Sequence, residues 1–320
     1  MSAPPREREH STRSRANPGG ARVIEMEGAL AFGARKPAWF KVPAPGDPRY
    51  RALRREVDDA GLHTVCQEAA CPNIGECWSR GTATFMILGD TCTRRCGFCN
   101  VKTGKPTHHD PLEPLRVAQS VRKMGLRHAV ITSVDRDDLP DLGASAFVGV
   151  IRSIRRLSPG TKVEVLTPDF RGEEMPLARV ISERPDVFNH NVETVPRLYP
   201  LARRGSRFER SCRVLRDAKE MGGDEVVTKS GLMTGLGETR DELLETFTVL
   251  REHDVQVLTV GQYLRPTRNH LPVARYWHPD EFSDLEREAY AMGFQSVAAG
   301  PLVRSSYHAE QTLAQAAAGR

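Results

Sequence analysis

Nowhere does the 320-residue chain run to eighteen consecutive apolar residues, so no segment reads as a membrane-spanning helix. A secretory signal is missing too, because the opening MSAPPREREHSTRSR has no apolar core. Arg and Ser are plentiful there, but Glu7 and Glu9 argue against a transit peptide. The expected location is the cytoplasm, with no membrane partner. No glycine-rich dinucleotide loop follows the first candidate strand, and no internal repeat is visible. The seven cysteines are an odd count, which does not suit a secreted disulfide framework. A net charge of +5 is modest and partly carried by arginines near the start. It reads as a solvated surface that needs no nucleic acid partner, although an acidic protein would suit it.

What is present divides the chain. Residues 1–35 mix Pro, Gly, Ser and Arg without apolar periodicity and are expected to be a disordered basic tail. Residues 36–83 form an N-terminal extension, whose segment 35–42 is apolar enough to wrap onto the body. Apolar strand-like stretches then recur at 84–88, 128–133, 162–166, 186–189, 225–229 and 255–260. Helical stretches separate them: 112–124 stopping at Gly125, 239–252 with a Thr239/Glu242 capping box, and 279–292 opened by Pro279 and closed by Gly293. Such alternation implies an α/β fold with a parallel sheet and helical crossovers. A full or partial parallel β/α barrel over 84–300 is expected, with a flat doubly wound sheet as the alternative. A C-terminal segment, 301–320, follows. Functional side chains in such folds gather in the loops after the strands.

Six of the seven cysteines fall between Cys66 and Cys99, in two triplets. Cys92, Cys96 and Cys99 have the spacing C-x3-C-x2-C, directly after the first long strand. Three thiolates so close can surround a metal centre. Zinc would want a fourth donor, for which His108 or His109 is near in sequence. A disulfide with one spare thiol is a weaker reading. An iron–sulfur cubane with one iron left open fits thiolate chemistry better. Cys66, Cys71 and Cys77 form the other triplet, C-x4-C-x5-C. Cys212 shares a helical face with Phe208 and Leu215 and reads as a packing thiol.

The C-x3-C-x2-C loop, with Phe98 before its last cysteine, resembles the radical S-adenosylmethionine (SAM) superfamily. The two triplets together resemble the lipoyl synthase family. So do 81–89 (GTATFMILG), 132–138 (TSVDRDD), 187–193 (VFNHNVE), 228–233 (TKSGLM) and 304–307 (RSSY), and the likeness runs from about residue 35 almost to the end. The resemblance implies a radical SAM partial barrel and two [4Fe–4S] clusters. One, on Cys92, Cys96 and Cys99, leaves an iron for SAM. The auxiliary one, on Cys66, Cys71 and Cys77, takes a serine of the RSSY motif, Ser305 or Ser306, with Ser306 favoured. It implies that an octanoyl chain on a lysine of a carrier domain gains sulfur at C6 and C8 from the auxiliary cluster. Two SAM are used per lipoyl group. The carrier would be a 2-oxoacid dehydrogenase E2 subunit or a glycine-cleavage H protein. A ferredoxin or flavodoxin would donate electrons, and an iron–sulfur carrier would rebuild the spent cluster.

Further candidates come from the same loops. Gly231–Glu238, including Gly235, fits the superfamily's G-x-[IV]-x-G-x-x-E pattern beside adenosine, though a plain strand-to-helix turn would look alike. Ser133 and Asp135 follow a strand where an acid can receive the SAM ammonium, and Asn191 and Glu193 follow another. Lys229 is placed at a strand end, to bind a carboxylate or to snorkel. Gln262 and Tyr263 end a later strand and border the adenine or substrate tunnel in this reading. Leu142 stands in Asp141-Leu-Gly143 where the family has glycine, so strain is expected if that position needs positive φ. Two rivals are kept: a biotin-synthase-like sulfur-inserting enzyme, and a non-catalytic zinc or iron–sulfur protein.

Overall fold

The computed structural model describes residues 28–42, 47–59, 61–68, 71, 73–107 and 110–318. His108, His109 and all but the last eight residues of the expected tail lie outside them. Among the described residues ten strands are formed: β1 His63–Thr64, β2 Thr82–Ile87, β3 Thr91–Cys92, β4 Lys102–Thr103, β5 His128–Ser133, β6 Lys162–Leu166, β7 Val187–Asn189, β8 Val227–Thr234, β9 Val257–Gln262 and β10 Ser296–Gly300. Eight build one sheet in the order β1-β2-β5-β6-β7-β8-β9-β10. All its pairings are parallel except β1 on β2. Strand order follows chain order without reversal, and a helix links each parallel pair. A doubly wound sheet reverses its order part-way. Same-handed crossovers without reversal put the helices on one face, and the sheet curls into a barrel. With β1 and β10 left as unjoined ends of the sheet, the barrel is partial.

The helices obey their sequence signals. Arg240–Glu252 starts at Thr239, whose hydroxyl and the Glu242 carboxylate form the expected capping box, worth about 1 kcal/mol. Pro279–Ala291 starts after His278, with the proline at its first position. Gly125 and Gly293 follow their helices at φ 58° and 91°, the left-handed region glycine tolerates best. Ala144–Leu157 buries Phe147, Val150, Ile151 and Ile154, a stripe at helical spacing. Cys212 is 1% exposed on Phe208–Gly222, as expected of a packing thiol. Leu142 does adopt φ 54°, and it is buried.

Three expectations need correction. First, residues 28–35 are more than tail: Leu30 donates its N–H to the Val273 carbonyl, and Phe32 lies under Arg265 and Arg268. The neighbouring segment continues onto the body, with Trp39 against His278 and Phe40 against Tyr276. Second, β10 adds a seventh parallel strand. Its sequence, Ser-Val-Ala-Ala-Gly, is too small-residued to announce a strand, and pairing with β9 along five residues makes it one. Third, β8 runs to Thr234 and not to Lys229. Lys229 therefore lies in the first half of its strand. It is 1% exposed, with its Nζ 3.0 and 3.2 Å from the two carboxylate oxygens of Glu164. It neither snorkels nor reaches the loops: the carboxylate it meets belongs to this chain.

Candidate functional site

The thiols form two groups, one in the N-terminal extension and one in the loop after β2. Cys66 and Cys77 lie on short helices of the N-terminal extension, Val65–Glu68 and Ile74–Ser79, and Cys71 lies between them. β1 ties this extension to β2 through His63–Met86 and Thr64–Phe85. The C-terminal segment then folds over it. Asn73 donates to the Leu302 carbonyl at 2.6 Å, Tyr307 donates its hydroxyl to Glu76 at 3.1 Å, and the His308 ring meets the same carboxylate at 3.0 Å. More than two hundred residues apart in sequence, the two segments enclose one pocket. Cys66, Cys71, Cys77, Thr84, Arg304 and Ser306 line it; Ser305 does not. The Ser306 oxygen accepts a 2.9 Å hydrogen bond from Thr84. Gly261 has to be glycine here, because a Cβ would sit 2.1 Å from the Val303 carbonyl oxygen as the segment crosses β9.

The second group lies in the loop after β2. Thr93 and Gly97 donate backbone N–H groups to the Asp135 and Ala202 carbonyls, and Leu271 donates to Gly97. At Gly97 a Cβ would meet the Leu271 side chain at 2.9 Å and the Leu201 carbonyl at 3.2 Å, so the glycine lets the loop seat. The Cys92 sulfur accepts N–H groups from Arg94 and Asp135, and the His270 ring bonds the Cys99 carbonyl at 3.0 Å. Phe98 is half-buried against the core. No cysteine is in a disulfide.

Burial pushes the thiols up, Cys77 and Cys92 to about 12 and Cys99 to about 11, with neighbouring thiols or acids adding to it. Cys66, Cys71 and Cys96 move the same way, also mainly by burial. A bound cationic centre would draw their protons off.

Charged side chains brace this loop. Arg94, nearly buried, pairs with Asp137 at 2.7 Å, Asp169 at 2.8 Å and Asp135 at 3.4 Å. Burial would raise the Asp169 carboxyl, but Arg94 and then other partners hold it well below the usual carboxylate range. Asp135 and Glu193 go the other way, pushed up by burial despite nearby cations. Arg203 donates to the Asn191 carbonyl at 2.7 Å and sits near Glu193 and Cys96. Glu193 itself holds φ 67°, a strained value for a side-chain-bearing residue. Arg94, Asp169 and Arg203 had no signal in the sequence; each is recruited by tertiary contact alone.

Among the buried oxygens without a hydrogen-bond partner are Ser133 Oγ closing β5, Asn191 Oδ1 after β7 and Thr234 Oγ1 closing β8, together with Thr167 Oγ1 and Asn189 Oδ1 at the ends of β6 and β7. Gly235 follows at φ 91°, and a Cβ there would sit 2.0 Å from Gln262 Nε2. Glu238 accepts the Gly235 and Leu236 N–H groups at 2.6 and 2.9 Å, fixing this turn. The turn covers only residues 235–238; Gly231–Thr234 belong to β8. Gln262 and Tyr263 are scaffold: Gln262 bonds the Thr234, Tyr263 and Arg275 carbonyls, and Tyr263 bonds the Leu271 carbonyl.

Residues 86–250 match the model of the Radical SAM superfamily. A lipoyl synthase of Rubrobacter xylanophilus is 57% identical over 284 residues, covering 89% of this chain and 88% of its own. The chain belongs to the lipoyl synthase family. A lipoyl synthase of Laribacter hongkongensis is 53% identical over 291 residues, 91% of each chain. Among solved structures, methylornithine synthase superposes with a TM-score of 0.53 at 14% identity, over 78% of this chain and 81% of its own. A maturase of the [FeFe]-hydrogenase gives 0.52 at 12% identity, over 83% and 78%. These two show the fold alone. A lipoyl synthase of the radical SAM type is a sulfur-inserting enzyme, and the family implies a [4Fe–4S] cluster and SAM. No helix among the described residues is long and apolar enough to cross a membrane.

Proposed function

We propose that the chain inserts sulfur at C6 and C8 of an octanoyl group carried on a lysine of a lipoyl carrier domain, using two SAM molecules per lipoyl group. The observation that carries this reading is the pairing of two incomplete thiol sets at one end of the sheet, one of them facing a serine hydroxyl. Cys92, Cys96 and Cys99 would hold one [4Fe–4S] cluster. Cys66, Cys71, Cys77 and Ser306 would hold the other. When bound, the clusters and SAM supply the electron, the 5′-deoxyadenosyl radical that takes hydrogen from unactivated carbon, and the sulfur.

The rest is the work of the chain's own residues. The unpartnered oxygens of Ser133, Asn191 and Thr234 suit polar groups of SAM, since a buried oxygen without a partner is costly. Asp135 and Glu193 offer carboxylates for its ammonium and ribose, and Gly235 gives its backbone a close approach. Phe98, just before the last cysteine, packs partly against the core. Lys229, occupied by Glu164, is given a scaffold role and no part in holding SAM. Ser306 is favoured over Ser305 because it lines the pocket and is already oriented by Thr84. An alkoxide is a harder ligand than thiolate, so an iron held by it is the easier one to release. Proximity and exclusion of water are what the protein adds to the radical step.

The carrier is an E2 subunit or an H protein in this reading. A ferredoxin or flavodoxin reduces the enzyme, an iron–sulfur carrier rebuilds the second cluster, and all of this takes place in the cytoplasm. The chain divides into the tail, the extension to residue 83, the barrel over 84–300 and the C-terminal segment. Anaerobic reconstitution followed by metal counting tests the proposal. About eight irons per chain are expected for two cubanes; bound zinc without iron would overturn it. The Cys66→Ala variant should still cleave SAM to 5′-deoxyadenosine while forming no lipoyl group. Lipoyl product from that variant would remove the sacrificial role of the second cluster.

A further inference from the structure

A groove outside the site concentrates positive charge. Arg171, Arg207, Arg210, Arg213 and Arg216 line it, with Glu209 the one acid among its walls. Arg210 is spent on Asp169, and Arg216 on Asp217 and Glu220. Arg171, Arg207 and Arg213 are exposed and have no acidic partner among the described residues. Five arginines against one acid in its walls leave the groove net positive.

The backbone is bent to build this wall. Phe170, Arg171 and Gly172 take φ 43°, 55° and 77° in succession, a left-handed run that two of the three resist. Asp169 holds it by accepting the Arg171 N–H at 3.0 Å. At Gly172 a Cβ would strike Arg213 Nη2 at 2.5 Å and Arg210 Cδ at 3.0 Å, so the glycine lets two arginines close over the turn. The same Asp169 holds Arg94 of the Cys92–Cys99 loop on its other side. One carboxylate therefore joins the groove to the loop proposed to carry the reducing cluster.

We infer that this arginine groove is the docking surface for a small acidic one-electron donor protein, which rests on the proposed radical SAM function. Position separates this occupant from an acidic carrier domain. The octanoyl chain has to reach both thiol sets, and the first is enclosed by the extension and the segment after β10. The groove instead follows the loop after β6 and the helix Phe208–Gly222, tied through Asp169 and Arg94 to the loop of the second set. A donor needs to approach only that set. Each SAM cleaved would take one electron from the donor, whose flavin would pass from anionic hydroquinone to neutral semiquinone without losing a proton, the electron being the one that breaking the C–S bond of SAM requires.

The test uses the full-length reconstituted enzyme and the double variant Arg207→Glu/Arg213→Glu, neither residue being part of the proposed site. Binding of an acidic flavodoxin is titrated without turnover, at low and at raised salt. Affinity for the wild type should fall with salt, and the variant should bind about tenfold or more weakly at low salt. Flavodoxin-driven formation of 5′-deoxyadenosine should show a raised KM for the donor. Dithionite-driven formation should equal wild type, which separates a failed docking surface from a failed enzyme. Unchanged flavodoxin affinity would overturn the inference. So would a variant that keeps its flavodoxin affinity and loses affinity for the octanoylated carrier, which would assign the groove to the carrier.

Discussion

Replacing Lys229 with Met keeps the length of the side chain and removes its charge. It leaves the Glu164 carboxylate, 0% exposed, with only the His128 ring at 3.3 Å and the Asn189 amide at 2.8 Å. At 3.0 Å, and with an effective dielectric of 20, the lost attraction is about 5 kcal/mol. Breaking a buried pair on one side costs about 3–5 kcal/mol, because the remaining charge is stranded. For a chain of this size that is roughly 5–8 °C in the thermal midpoint of the apo protein. The double variant Glu164→Gln/Lys229→Met strands no charge and should recover most of the loss.

The pH dependence carries the same signature. Burial would raise the Glu164 carboxyl, but Lys229 and then His128 outweigh it and hold it at about 2, against an ordinary 4.5. The stabilisation is therefore full above about pH 4.5 and is lost as pH falls toward 2. In Lys229→Met the carboxyl rises, so acid sensitivity moves to higher pH. Thermal melts of the three variants across pH, with a SAM titration of each reconstituted enzyme, check this. A Lys229→Met protein as stable as wild type but unable to bind SAM would refute the scaffold role and return Lys229 to the site.

Other outcomes follow from single contacts. Asp135→Asn keeps shape and removes charge, so SAM affinity should fall roughly 10–100-fold while iron content is unchanged, read by titration of the reconstituted protein. Gly235→Ala puts a Cβ 2.0 Å from Gln262 and 2.8 Å from the Arg275 carbonyl at φ 91°; it should lose about 1–3 kcal/mol of stability and most SAM binding. Ser306→Ala should change apo stability by no more than about 1 kcal/mol, keep 5′-deoxyadenosine formation and lose lipoyl product, while Ser305→Ala resembles wild type. The reverse pattern would make Ser305 the ligand.

Much of this was legible before any fold was known, for definite reasons. The cysteine spacings are local, so both triplets could be read from the chain. The Thr239/Glu242 box and the glycines at 125 and 293 mark helix ends by local rules, and those ends are found where expected. Lys229 was misplaced because β8 continues through Ser-Gly-Leu-Met-Thr, where a glycine suggests a strand end; pairing with β9 along 229–234 overrides that signal. β10 was missed because Ala and Gly have little strand propensity of their own. Arg94, Asp169 and Arg203 are separated by tens of residues and meet only when the loops after β2, β6 and β7 converge. Long-range charge pairing of that kind leaves no periodicity to read. Asp141-Leu-Gly143 is the opposite case: resemblance to a family with glycine at that position raised strain at Leu142 if its φ were positive, and φ is 54°.

The central claim is that two three-thiol sets hold two clusters and that the set closed by Ser306 gives up the sulfur. Its most direct test is to reconstitute the enzyme with 34S-labelled sulfide and react it once with an octanoyl-lysyl peptide, SAM and reductant, followed by mass spectrometry. Both sulfurs of the lipoyl product should carry the label, with no product from Cys66→Ala. Product with unlabelled sulfur, or labelled product from Cys66→Ala, would contradict the account.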